Sequence, residues 1–286
     1  MGLIFAFTAL LSWGYGDFLI QKSARRFGDW IALFFIGLFG TVLLLPFIWT
    51  RIGYVFLDIQ QLLILTAGSA ILVFAALLDF EALRRGKISV IEPIFAFEVP
   101  ITAGLALFIL HERISMEQLI LVGLLIVGIF LVSTSTFKHF KRMHVERGVF
   151  LAIVATIGMG TINYLYGVGS RIYDPLIVNW FVNFFITIST LIYILAKKRW
   201  HFVRQDWRSN WKLVTGIGVF DNLAWLTYSY STLYLPIAIA TSLTESYIAL
   251  AALFGLMFNK EKLRKHQLVG LALTVVCAII LAYLIE

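Results

Sequence analysis

Hydrophobic residues run along this chain in ten long stretches separated by short polar connections. A helix needs roughly 20 mostly apolar residues to cross a bilayer, and each stretch is close to that length. The runs cover residues 2–22, 30–50, 61–82, 88–110, 116–135, 148–168, 175–196, 211–232, 237–258 and 266–285. The longest connections, around STFKHFKRMHVERG and KKRWHFVRQDWRSN, leave no room for a soluble domain. The first run has no basic residue ahead of it and no small-residue cleavage site, and Lys22, Arg25 and Arg26 follow it, so it reads as a retained helix rather than a signal peptide. The pattern predicts an all-α membrane protein with ten transmembrane helices.

Composition agrees. The chain is 60% hydrophobic and 14% charged, against about 45–50% and about 25% in soluble domains, and the excess apolar surface must face lipid. The single Cys277 excludes an intrachain disulfide. The five histidines fall in or beside polar connections with no pair at helix-ligand spacing, so neither a metal nor another cofactor is expected. The net charge of +7 does not point to nucleic acid, because the basic residues lie in the connections and form no basic domain. Those residues report topology instead. The odd-numbered connections hold 20 of the 23 Lys and Arg, and the even ones hold only Arg51, Arg113 and Arg171. Positive charge stays cytoplasmic. The odd connections are then expected inside the cytoplasmic (inner) membrane, with both termini outside.

The second half repeats the first. GLIFAFTALLSWGYGDFL (2–19) aligns with GVFLAIVATIGMGTINYL (148–165), matching Gly2 with Gly148, Ala6 with Ala152, Ala9 with Ala155 and Gly14 with Gly160, and setting Asp17 opposite Asn163. Further on, Glu112 falls opposite Glu261 and Gln118 opposite Gln267. Five helices per unit is an odd number, so the second unit must enter the membrane upside down, as in the inverted repeats of secondary transporters. The expected organisation is a 5+5 inverted-topology repeat: residues 1–135, a basic cytoplasmic linker at 136–147, and residues 148–286.

The opening ALLSWGYGDFL, the run FEALRRGKISVIEPIFAFEVPITAGLALFILHERI and its counterpart YSTLYLPIAIATSLTESYIALAALFGLMFNKEKL resemble the EamA-like ten-helix carriers of the drug/metabolite transporter superfamily. That pattern has a carboxylate before a proline in helix four, then a small-residue run ending in a Gly-Glu-Arg-like turn. Here Glu98 keeps the expected spacing to Glu112, Pro100 comes one place late, and His111 and Lys260 stand where glycine is usual. The resemblance implies export or exchange of small metabolites, with amino acids common among bacterial substrates.

An ionisable group near the bilayer centre costs about 2.5–3.5 kcal/mol on insertion scales, so each one requires a reason. Glu98 lies near the middle of the fourth run and Glu245 near the middle of the ninth, in related but not identical repeat positions. Both are candidates for binding a cationic group or for taking up a proton, with interhelical packing as the plain alternative. Asp221 and Asn222 lie in the middle of the eighth run, whose counterpart region in the third is apolar, an asymmetry suited to recognition. Trp13, Trp225 and Tyr247 are candidate pocket walls. Asp17 reads as a structural group near Lys22 and Arg25. Glu92 and Pro93 belong to a helix entrance, Pro100 removes a backbone donor deep in the run and predicts a kink there, and Pro93 and Pro100 are the candidate gating or kink positions. Glu112 and Glu261 read as helix-terminating residues.

The expected function is a secondary transporter of a small polar, amino-acid-like metabolite by alternating access, with proton-coupled export as a further expectation and a monomer consistent with the sequence. The alternatives are a membrane-embedded enzyme or carrier acting on a lipid-linked substrate, for which no acidic pair or Ser/His cluster is found at an interface, and a non-transporting chaperone or sensor.

Overall fold

The computed structural model describes residues 1–57, 59–85, 94–134, 147–250 and 264–284. Among them the chain forms eleven helices and no strand: α1 (Gly2–Phe27), α2 (Asp29–Ile48), α3 (Ile52–Leu57), α4 (Ile59–Arg85), α5 (Glu98–Phe108), α6 (Met116–Ser133), α7 (Arg147–Tyr173), α8 (Pro175–Ala196), α9 (Trp200–Tyr234), α10 (Ile237–Thr244) and α11 (Lys265–Tyr283). Each of the ten apolar runs contains helix. Seven helices, α1, α2, α4, α6, α7, α8 and α11, are long and apolar enough to cross a membrane. The other three runs depart from that simple form. Helix α9 has 35 residues, about 52 Å of rise, far more than a hydrocarbon core of about 30 Å. It breaks at Asn210 (φ −133°, ψ 24°) and carries Asp221 and Asn222 in its second part. The fourth and ninth runs are interrupted, at Ala96–Phe97 and at Glu245–Ser246.

Local chemistry sets the ends. Gly28 takes φ 83° between α1 and α2. Ser115 and Gln118 close a reciprocal capping box at the start of α6. Asp174 caps α8 by accepting from the Leu176 N–H at 2.8 Å, and Pro175 opens that helix where its missing donor costs nothing. His111 stands at φ 53°, which accounts for the glycine usual at this place in the resembling pattern.

Helix α1 packs along α9 and α4 along α7; α2 lies against α8, and α6 against α11. Helix α5 rests on α7 and α10, and α10 also touches α1. Exchanging the halves (α1 with α7, α2 with α8, α4 with α9, α5 with α10, α6 with α11) returns this set of neighbours to itself. Several crossings depend on glycine. A Cβ on Gly270 would stand 2.7 Å from the Gly128 carbonyl oxygen, and one on Gly128 would stand 3.1 Å from the Gly270 oxygen. Backbone therefore meets backbone where α6 crosses α11, the close approach that small residues permit in membranes. At Gly40 a side chain would collide with the amides of Asn183 and Asn222.

The even connections share one end of the bundle. Arg51, after α2, pairs with Asp174, before α8, at 3.0 Å. Arg171, at the end of α7, pairs with Glu112, after α5, at 2.8 Å. At the other end, two odd connections meet: His266 Nε2 lies 2.7 Å from the Thr134 carbonyl, and Gln267 donates to the Val132 carbonyl at 3.0 Å.

Candidate functional site

A cavity of about 400 Å³ occupies the middle of the bundle. Its wall takes Trp13 and Phe18 from α1, Asp79 from α4, Glu98 from the start of α5, Asn163 and Tyr166 from α7, Asn183 from α8, Asp221 and Trp225 from α9, and Glu245 and Tyr247 at the break after α10. The lining reaches Val132 and Ser133, the odd end of α6. None of the described lining comes from the even ends of the helices, so that lining is one-sided, running from the centre toward the odd face.

Four carboxylates therefore line one space, and its described lining includes no Lys, Arg or His. Glu98 is the first residue of α5 and follows directly on the break. Glu245 sits at the C-terminal cap of α10, is 8% exposed, and accepts from the Asn163 amide at 3.3 Å. Asn163 is tied in turn: its carbonyl accepts from the Tyr228 hydroxyl at 2.8 Å, and that hydroxyl also meets Thr241 Oγ1 at 2.8 Å. Beneath the cavity on the even side lies α10 itself, every one of its residues buried.

Aromatic rings share the lining with these carboxylates. Trp13 meets Trp225 edge-on at 5.3 Å and Tyr247 at 6.4 Å. Tyr166 lies 4.5 Å from Trp225. Ring faces and carboxylates facing a common space suit a positively charged organic group, which gains from both.

The structure brings Glu98, Glu245, Asp221, Trp13, Trp225 and Tyr247 to one cavity. Asn222 points elsewhere: its amide donates to the Ile36 carbonyl at 3.0 Å and the Gly218 carbonyl at 2.7 Å, fastening α9 to α2. The break in the fourth run comes at Ala96–Phe97, so Pro100 falls in the first turn of α5, where a missing N–H leaves no bond unmade. Glu92, Pro93 and Glu261, and the Asp17 side chain, lie outside the described residues. Glu112 terminates no ordinary cap; its side chain is 6% exposed and reaches across to the second half.

The lining residues that the sequence did not single out include Asp79, Asn163, Asn183 and Tyr166. Asp79 lies near the end of its run beside Glu81, Arg84 and Arg85, so it resembles an interfacial charge. Its signal is depth: α4 runs on to Arg85, which leaves Asp79 inside the helix. Asn179 and Asn183 stand four apart in an apolar helix, a spacing that marks one polar stripe.

The uncharacterized protein MJ1333.1 of Methanocaldococcus jannaschii is 27% identical over 136 residues, covering 46% of this chain and 96% of that protein. A solved crystal structure, 15% identical, superposes with a TM-score of 0.73 over 99% of this chain and 96% of its own, and so shares the fold. The EamA-like transporter family matches residues 1–134 and 146–283, nearly the whole length in two halves. The chain belongs to the EamA-like transporter family, and is a multi-pass membrane transporter of the drug/metabolite type.

Proposed function

We propose that the chain is a secondary carrier that moves a small metabolite bearing a positively charged group, an amino acid or amine, across the cytoplasmic membrane by alternating access. The observation that carries this reading is the central cavity, lined by the carboxylates Asp79, Glu98, Asp221 and Glu245 together with the aromatic residues Trp13, Trp225, Tyr166 and Tyr247. Its volume is of the size that small-molecule sites have, roughly 300–1,000 Å³. Glu98 and Glu245 are the residues proposed to hold the cationic group, with Asp221 beside them. They are also the proposed carriers of a proton, should transport be coupled to one.

The 5+5 inverted repeat belongs to the same proposal. It is supported by the family match in two halves, by the exchange symmetry of the helix packing, and by breaks before α5 and after α10 that fall at equivalent places, Ala96 and Glu245 lying 149 residues apart like Glu112 and Glu261. Broken helices at the repeat interface are where such carriers bind their cargo. Residues 1–135 and 148–286 are the proposed units, with the odd face cytoplasmic and a monomer sufficient for function.

The test is a thermal-shift screen of the purified chain against cationic and zwitterionic amino acids and amines, repeated on Glu98→Gln, with flux into proteoliposomes for each hit. A stabilising cation whose effect falls at least about tenfold in Glu98→Gln is the expected result, as loss of one charged partner in a desolvated site gives. A ligand that binds both proteins equally sinks the assignment of Glu98. Flux that ignores an imposed pH gradient removes proton coupling.

A further inference from the structure

The described lining of the cavity extends from the centre toward the odd face only, and a compact arrangement of charge lies at the other. Arg171, 30% exposed, donates through Nε to the Thr232 carbonyl at 2.7 Å, through one terminal nitrogen to the Leu235 carbonyl at 2.8 Å, and through the other to Glu112 Oε1 at 2.8 Å. Glu112 in turn accepts from the backbone N–H groups of Ile237 at 2.8 Å and Ala238 at 3.2 Å. One guanidinium thus holds the carbonyls at the end of α9 while one carboxylate holds the donors at the start of α10. Each charge has the sign its helix end favours. The two are joined directly, in the planar, several-pronged geometry that Arg provides and Lys does not.

Position gives this cluster its meaning. Glu112 comes from the first half of the chain, after α5; Arg171 and the turn at 232–238 come from the second. The cluster stands at the even end of α10, whose eight residues are all buried and fill the space between the cavity and that face. No route from the cavity to the even face can form while α10 stays bound to α5 and α7 there. In sequence, the repeat also sets Arg25 against Arg171 and Glu261 against Glu112, so the chain carries the same pair of residue types for its other face.

We propose that Glu112 and Arg171 are the gating residues of the even face: their ion pair, with its four backbone bonds, holds the carrier open to the odd face and must part before the cavity reaches the even side. This rests on the alternating-access reading above. A pair of this kind, with its carboxylate buried, is weak as a source of net stability but costly to leave half broken, which is the behaviour a two-state closure requires.

The test is side-specific thiol labelling with a membrane-impermeant maleimide, in sealed vesicles of each orientation and in a Cys277→Ala chain. Ala240→Cys reports on the seal and Ser133→Cys on the odd mouth of the cavity. In the otherwise unaltered chain, Ser133→Cys is expected to react from the odd side and Ala240→Cys hardly at all. Glu112→Gln and Arg171→Gln are each expected to raise even-side labelling of Ala240→Cys about tenfold and to slow odd-side labelling of Ser133→Cys, because a shift in population opens one end by closing the other. Arg171→Lys keeps the charge and guards against misfolding of the neutral variants; a rise of about threefold is expected, since an ammonium cannot serve all three partners at once. Labelling of Ala240→Cys within twofold of the parent in all three variants overturns the gate. A rise at Ala240→Cys with Ser133→Cys unchanged keeps Glu112 and Arg171 as the seal and sinks alternation instead.

Discussion

The fourth and ninth apolar runs are interrupted at equivalent positions, yet by different chemistry. The fourth has Pro100 three residues into the helix that follows its break. The ninth has no proline at all. There, hydroxyls bond back to the preceding turn: Ser242 to the Ala238 carbonyl at 2.7 Å, Thr244 to Thr241 at 3.1 Å, and Ser246 to Ser242 at 2.8 Å, the kind of bond that competes with the helical ladder and bends it. The surroundings differ too. Helix α10 is buried throughout, whereas α5 buries only Val99, Thr102, Ala103 and Ala106. The carboxylates meet opposite helix ends, Glu98 the amide end of α5 and Glu245 the carbonyl end of α10. A shared break can therefore be kept while the residues that make it, and the charge beside it, diverge.

Five substitutions probe this contrast. The largest effect is expected from packing. Leu243→Ala empties a fully buried site in α10 and should cost about 2–5 kcal/mol, while Leu105→Ala in the more open α5 should cost under about 1 kcal/mol. Denaturant unfolding in detergent measures both, and equal losses would erase the difference between the two segments. Next, Thr241→Val removes one of the two partners of the buried Tyr228 hydroxyl and should cost about 1 kcal/mol in the same assay. A neutral result would detach the Tyr228 link from the support of α10. The smallest change belongs to Glu98→Gln, which loses the match between an acid and a helix N-terminus, about 0.3–1 kcal/mol; Glu245→Gln, at a C-terminus, should lose less. Thermal unfolding of the pair without substrate reverses the assignment if Glu245→Gln proves the more damaging.

Much of this was legible in the sequence, and particular residues show why the rest was not. The ten runs were visible because lipid demands long uninterrupted apolarity, and Glu98, Asp221 and Glu245 stood out against it. The break in the fourth run could be read from Pro100, although its place, just before Glu98, could not. The break in the ninth run could not be read, because Ser and Thr have a helical use as well as a helix-bending one and only tertiary contacts choose between them. Asp79 was hidden by its neighbours Arg84 and Arg85, which gave it the appearance of an edge residue. Asn222 was misplaced by about one step of rotation: its neighbour Asp221 faces the cavity, and a helix turns about 100° per residue. Glu112 seemed a local terminator because its partners Arg171, Ile237 and Ala238 are remote in sequence.

The crossing of α6 and α11 at Gly128 and Gly270 has a consequence for how relatives of this chain can diverge. Where two side chains touch, growth on one partner can be offset by shrinkage on the other, and the pair leaves a record of correlated change. Here a Cβ on Gly270 would strike the Gly128 carbonyl, one on Gly128 would meet the Thr274 hydroxyl and crowd the Thr274 and Gly270 backbone, and neither residue has anything smaller to become. The two positions are expected to remain glycine together, without covariation, so that contact inference from correlated substitutions would be blind to a place where two helices meet backbone to backbone.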